Sequence, residues 1–362
     1  MSSRPPNILI DISHPAHVHF FLNPIKIWKG TGCNIFITSR KKEIATDLLD
    51  ALNIPHQVIS SLSKGGVVNM GKELISRNFS LLKVISQVKP DIMVAIGGVS
   101  IAHTGFLRRI PSLVFYDTEN AHLQNLITYP FCSLVAVPEC YNAWLPPWHL
   151  RYPGYHELSY LHPEIFTPDL KTAIDCGLDP NRRNFLIRTV SWQASHDITE
   201  HGWTPNLLAK TVHFLAEQGN VMISAEGALP EELQPYAYKG APEKIHHLMA
   251  HLTMFVGESA TMASECAVLG IPSIYAANTG RGYTDEQEKK YGLVVNVKEL
   301  SWKQLEEAMT SLIALPANIK QTMHTKLLSD KINVANFVAD LVLQYPQSVK
   351  YYKKSFSADE NN

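Results

Sequence analysis

Long apolar runs are missing from this 362-residue chain: no stretch approaches the roughly 20 residues that span a bilayer, and the N-terminal MSSRPPN lacks a signal core. A strong net charge is missing as well. The 32 Lys and Arg residues offset 33 Asp and Glu to a formal -1, so no field draws the chain to nucleic acid. Residues 1–160 carry 14 basic against 10 acidic side chains and the rest 18 against 23. That mild asymmetry reads as solvated surface, with peripheral membrane contact left open. The five cysteines (Cys33, Cys132, Cys140, Cys176, Cys266) are odd in number and form no C-x-x-C pair. They read as reduced core thiols of a cytoplasmic protein. No G-x-G-x-x-G is present to suggest NAD.

Short β-branched runs alternate with longer segments of helical period, the pattern of parallel α/β architecture. In the first half the predicted strands are 7–12, 34–39, 56–60, 91–97, 112–117 and 134–138. A Pro- and aromatic-rich stretch, NAWLPPWHLRYPGYHELSYLHPEIFTPD, follows and reads as an interdomain connection. A second series has strands at 184–190, 220–225, 254–258, 272–277 and 293–297, and one amphipathic helix is predicted around 319–344. The expected organisation is two Rossmann-like doubly wound domains, 1–160 and 161–345, then a polar tail over 346–362. Ligands of such sheets bind beyond the carboxyl ends of the strands, here in a central cleft that both domains face.

His14, His17 and His19 stand in SHPAHVHFF directly behind the first strand. H-x-x-H-x-H is open to three readings: a metal site, a catalytic base with its neighbours, or the wall of a sugar-nucleotide cleft. It lacks the i, i+4 pairing or the cysteine partners that make zinc signals specific, so no metal is expected. Two other motifs are incomplete. Residues 66–73, GVVNMGKE, match a P-loop except that Glu73 stands where Ser or Thr would bind magnesium. VGESAT (256–261) resembles a nucleophile elbow with Thr261 in place of the last glycine, and its partners would be Asp285 and His324.

The most informative stretch is MFVGESATMASECAVLGIPSIYAAN (254–278). A buried strand ends at Gly257, small polar residues turn into a helix, and Gly270 and Pro272 close it. The helix start leaves N–H groups around Ser259 to Met262 to meet an anion such as a diphosphate. Glu265, further along that helix, can accept the hydroxyls of a ribose, as acidic residues do in dinucleotide folds.

With its Ser259, Glu265, Gly270 and Pro272 spacing, this segment resembles the donor-binding segment of GT-B-fold proteins, the sugar-nucleotide glycosyltransferases and non-hydrolysing UDP-N-acetylglucosamine 2-epimerases. The resemblance implies that Ser259 and Thr261 contact the diphosphate and Glu265 the ribose. SHPAHV resembles the first loop of the MurG-type transferases, which ends in His-Val, although Ser13, Pro15 and Ala16 replace its glycines. By that likeness His17 is the candidate general base, an imidazole suited to proton transfer near neutrality, and His14 and His19 shape the loop or touch the acceptor. RTVSWQASHD (188–197) is similar to the loop that reaches donor phosphates, implying Arg188, Ser191, Ser195 and His196 as contacts, while Arg281 of GRGYTDE would add charge for the leaving group. Asp117 and Glu119 of FYDTEN lie where the epimerases place a catalytic acid. From about residue 7 to 340 the chain resembles an uncharacterised GT-B-like family of bacteria and archaea.

The resemblance implies an inverting, metal-independent glycosyltransferase of surface polysaccharide or glycolipid synthesis. A nucleotide sugar is its co-substrate, a saccharide or lipid-linked acceptor its partner, and no resident cofactor is needed. A UDP-sugar 2-epimerase-like enzyme and a non-catalytic sugar-nucleotide-binding protein are the alternatives.

Overall fold

The fully buried run NILIDI forms the first strand of a computed structural model that describes residues 4–41, 43–61, 67–190 and 202–359. The chain divides into two units, Met1–His162 with Ile332–Asn362, and Pro163–Lys331.

In the first unit, β1 (Asn7–Ile12), β2 (Asn34–Lys41), β3 (Gln57–Ser61), β4 (Ile92–Ile96), β5 (Ser112–Phe115), β6 (Leu134–Pro138) and β7 (His149–Tyr152) alternate with α1 (Pro15–Gly30), α2 (Glu43–Ala51), α3 (Val67–Val88), α4 (Val99–Arg108) and α5 (His122–Thr128). The sheet order is β3-β2-β1-β4-β5-β6-β7, and its strand pairs are parallel. Its order reverses between β1 and β4, the switch point at which doubly wound sheets take ligands. Leu9, Met93, Val114 and Val135 form part of the core on one face. At the start of α1, His14 is the N-cap and Pro15 the first helical residue, and Val18, Phe20, Phe21, Ile25 and Trp28 turn inward.

The second unit contains α6 (Leu170–Asp175), β8 (Asn184–Thr189), α7 (Pro205–Ala216), β9 (Asn220–Ala225), α8 (Ile245–Met249), β10 (Met254–Gly257), α9 (Ala260–Val268), β11 (Ser273–Ala276), α10 (Gly282–Glu286), β12 (Val294–Val297), α11 (Trp302–Ile313) and α12 (Ala317–Asp330). Its parallel sheet runs β12-β11-β10-β8-β9, which puts the switch point between β8 and β10. Phe185, Trp203, Val256 and Ile274 lie in its core. A Cβ on Gly257 would stand 2.3 Å from the Arg188 carbonyl oxygen, so glycine is what lets β10 lie against β8 there.

The described elements correct the expected organisation in four places. The connection read as lacking period contains β7, a four-residue strand between prolines that is parallel to β6. One helix over 319–344 is instead α12 and α13 (Val334–Leu343), separated at Lys331 to Asn333, where the Asn333 side chain caps α13 by accepting from Asn336 N. The second domain does not continue to residue 345. The backbone N–H of Ile332 donates to Pro153 O (2.9 Å) and Trp28 Nε1 to Ala339 O (3.1 Å), so α13 belongs to the first unit. The expected tail carries a further helix, α14 (Gln347–Asp359). Among the described residues, no helix is long and apolar enough to cross a membrane.

Candidate functional site

Two groups of side chains lie at the carboxyl ends of the sheets, one in each unit. In the first, His14 Nδ1 accepts from Ala16 N (3.2 Å), and the His14 and His17 rings are 5.8 Å apart. The backbone N–H of Ser13 points at His17 Nδ1 from 3.4 Å, a long contact that orients the ring only weakly. His19 turns to Tyr160, with 5.3 Å between rings, so the three histidines do not converge. Among the described residues, no three His, Cys, Asp or Glu side chains gather as a metal ion would need.

Asp117 lies just beyond β5, and its Oδ2 is 3.1 Å from His156 Nδ1. His156 is buried, with its ring 4.6 Å from that of Phe20, and Thr118 Oγ1 donates to Asp117 Oδ1 (3.0 Å). Burial pushes the Asp117 carboxyl up, but His156, then Thr118, then the charge of His17 outweigh it and bring it down to about 2. His156 is thus the side chain that holds the acid. Glu119, two residues on, receives a long 3.5 Å contact from Asn142 N. Beside this group, Asp11 near the end of β1 is buried against Arg77 Nη2 (2.6 Å) and Thr38 Oγ1 (2.7 Å), which balances its charge.

In the second unit the Ser259 side chain caps α9 by accepting from Met262 N (3.2 Å), and Thr261 follows in the first turn, half-buried. Glu265, on the same helix, is buried, and its Oε1 is 2.9 Å from Nε2 of the equally buried His246. Arg188, expected at donor phosphates, donates to Ser224 Oγ (2.8 Å) and Glu226 Oε1 (2.6 Å). Arg281 Nη1 donates to the neighbouring Gly280 O (2.9 Å) at the start of α10. Ser191, Ser195 and His196 lie outside the described residues. Glu258 grips the chain on both sides of them, its Oε2 accepting from Val190 N (3.0 Å) and its Oε1 from Trp203 N (2.8 Å). Burial pushes its carboxyl up, and these two bonds only partly oppose that.

The incomplete motifs resolve into structural roles. Glu73 pairs with Arg40 (2.6 Å). His324 Nε2 bonds the Val268 carbonyl (2.8 Å) at the end of α9, where Gly270 takes a φ of +78°, and burial lowers the His324 pKa.

His156, His246 and Glu258 were not singled out as site residues from sequence. His156 sits in the stretch read as a connection, His246 in HHLMAH, and Glu258 within the elbow-like VGES. Their only sequence signal is a polar side chain beside an apolar run, and each partner lies far along the chain or on the backbone.

Two doubly wound parallel units define the fold as α/β of the GT-B type. MurG of Acinetobacter baumannii superposes with a TM-score of 0.61 at 15% identity, over 93% of this chain and 99% of that one. S. aureus MnaA in complex with UDP gives 0.67 at 10% identity, over 95% and 98%, and UDP-GlcNAc 2-epimerase from Neisseria meningitidis bound to UDP-GlcNAc gives 0.63 at 12%, over 93% and 99%. At these identities the likeness is one of fold. Residues 6–150 match the family described as "Protein of unknown function (DUF354)". An uncharacterized protein of Methanocaldococcus jannaschii, MJ0665, is 28% identical over 134 residues, which is 36% of this chain and 38% of that protein's length.

Proposed function

We propose that the protein is a cytoplasmic, inverting glycosyltransferase that uses a nucleotide sugar as co-substrate, with no resident metal or cofactor. The observation that carries this reading is the Asp117 carboxylate just beyond β5, held ionised by its 3.1 Å pairing with His156. His17 takes the proton of an acceptor hydroxyl while that oxygen attacks the anomeric carbon, and the bond from that carbon to the diphosphate breaks with its electrons leaving on the diphosphate. The neighbouring carboxylate stabilises the imidazolium so formed. The backbone N–H groups opening α9 receive the diphosphate, and Glu265 takes the ribose.

An epimerase-like reaction is the second reading, favoured by the epimerase among the structural neighbours and by two acids in one loop. It needs an acid and a base flanking the second carbon of the sugar, and Asp117, held ionised by His156, suits the base and leaves the acid to another group. Incubating UDP-GlcNAc with the protein in deuterated water separates the two. Deuterium at the second carbon of the sugar would overturn the transferase reading.

The donor site is tested by thermal stabilisation with nucleoside diphosphates and sugar nucleotides, with and without EDTA. One nucleotide class is expected to raise Tm by mass action, insensitive to EDTA, with the shift lost in Glu265→Ala. Absence of any shift would sink the reading.

A lipid-linked acceptor is part of the proposal and is supported by the first unit's exposed face. Phe106 and Leu107 at the end of α4 are 64% and 66% exposed, and Trp148 on the same surface is 41% exposed. Phe131 packs on Phe106 with rings 5.4 Å apart, and Arg108 and Arg109 adjoin them. Apolar side chains beside cations suit an anionic bilayer surface. Cosedimentation is expected with vesicles containing phosphatidylglycerol, to fall with added salt and in Phe106→Ser/Leu107→Ser, and to be absent with phosphatidylcholine alone.

A further inference from the structure

His246 is buried, sits on a five-residue helix and has no place in the donor site outlined above. Its Nε2 lies 2.9 Å from Glu265 Oε1, with 7% of His246 and 5% of Glu265 exposed. The two residues come from different elements, so the bond is tertiary. A carboxylate can accept about four hydrogen bonds, and a donor fixed on one oxygen sets the plane in which the other acceptor positions lie. The imidazole donor is itself held. The Phe166 ring meets it edge-on at 6.4 Å and packs on the adjacent His247 ring at 5.1 Å. The backbone N–H of Asp169 donates to His247 Nδ1 (3.1 Å), while the Asp169 side chain caps α6 by accepting from Thr172 N (2.9 Å). The start of α6 therefore anchors α8, and α8 fixes the orientation of the Glu265 carboxylate.

We infer that His246 is a positioning residue that makes the donor site selective for ribonucleoside over 2′-deoxyribonucleoside diphosphates. This deepens the proposed function and rests on Glu265 meeting the ribose. A carboxylate that can swing accommodates the loss of one hydroxyl by turning to another partner. One held in a buried pair cannot, and a site built to bond a hydroxyl rejects the analogue lacking it because that hydrogen bond is lost without a replacement. The donor class is then a sugar on UDP, GDP or another ribonucleoside diphosphate, and thymidine diphosphate sugars are excluded.

Calorimetric titration with UDP, 2′-deoxy-UDP, GDP and 2′-deoxy-GDP tests this on the full chain. The wild type is expected to prefer one ribonucleotide to its deoxy form by about tenfold or more, the scale of a lost charge-assisted bond. In His246→Leu the preference is expected to collapse to about twofold or less, through weaker ribonucleotide binding with deoxynucleotide binding retained. His246→Gln, which restores an N–H donor, is expected to recover much of it. A role confined to packing would lower Tm and leave the ratio unchanged. If the leucine variant does not fold, His246→Asn, too short to reach Oε1, replaces it. Equal affinity of the wild type for both sugars, or a preference that survives in His246→Leu, overturns the inference. Failure of the wild type to bind any of the four overturns the donor-site reading beneath it.

Discussion

Asp117→Ala is expected to lower turnover by about a hundredfold or more with nucleotide affinity nearly unchanged, because it removes the carboxylate proposed to stabilise the proton-accepting imidazole and leaves the α9 end intact. The same variant is expected to lose stability. Asp117 titrates at about 2 in the fold against an ordinary 3.8, so the folded pKa is depressed. The contribution is then full above pH 3.8 and lost as pH falls from 3.8 toward 2, and that difference corresponds to about 2 kcal/mol. Asp117→Asn separates the two effects. Its carbonyl oxygen still accepts from a His156 ring N–H, so the asparagine protein is expected to stay folded at pH 7 while the acid limb of its stability profile flattens. Urea denaturation at pH 3 and pH 7, alongside release of nucleoside diphosphate, measures both. An alanine variant with wild-type turnover on a substrate that stabilises the protein would remove Asp117 from the mechanism. Unchanged stability at pH 7 would show that the His156 pairing contributes little.

What could be read in advance divides along the distance between partners. The strands, most of the helices and the two doubly wound units are local periodicities, so NILIDI, DIMVAIG and MFVGE announce themselves and the two units follow from their order, while the GT-B likeness rests on the motif from Ser259 to Pro272. The helix cap at Ser259 and the glycine at Gly270 are equally local, since a cap bonds within its own first turn and a left-handed residue answers to its own φ. β7 escapes because four residues between prolines carry too short a pattern, and pairing along β6 makes it a strand. The return of α13 to the first unit escapes because Trp28 and Ala339 are 311 positions apart.

The candidate site was legible only as a set of loops. Asp117 could be suspected from its place after β5, but its electrostatic state depends on His156, 39 positions later in a stretch with no visible period. Glu265 could be placed one turn inside a helix, where it reads as a solvated acid or a ribose acceptor. That it is buried and shared with His246 follows from a side-chain contact between α8 and α9, which no local spacing encodes. Arg188 shows the same dependence on a distant partner. Its place at a strand end is local, but Glu226, one residue beyond the neighbouring strand β9, receives its guanidinium, and no local spacing announces that pairing.

Glu258→Ala is expected to be among the most damaging single changes in the second unit, costing about 3 kcal/mol. Two backbone donors depend on that carboxylate, Val190 N at 3.0 Å and Trp203 N at 2.8 Å, and each buried donor left unpaired costs about 1–3 kcal/mol. Trp203 is fully buried with its indole N–H on the Ala276 carbonyl (3.0 Å), so the freed backbone N–H has little access to water. Glu258→Gln keeps one carbonyl oxygen as acceptor but turns an amide N–H₂ toward the other donor, so an intermediate loss is expected. The pH dependence runs opposite to that of Asp117. Burial holds the Glu258 pKa above its ordinary 4.5, so the folded state favours the protonated form. Its contribution is greatest below pH 4.5 and declines as pH rises through the raised value, and Glu258→Gln should remove that decline. Since the residue directly precedes Ser259 and joins the ends of two strands at the switch point, its loss should also weaken nucleotide binding even under conditions where the variant remains folded. Denaturation midpoints of the three proteins across pH 4 to 8, with UDP titrations on the folded samples, test both parts. A Glu258→Ala protein as stable as the wild type would mean that Val190 N and Trp203 N find other acceptors, and that this carboxylate does not join the two loops.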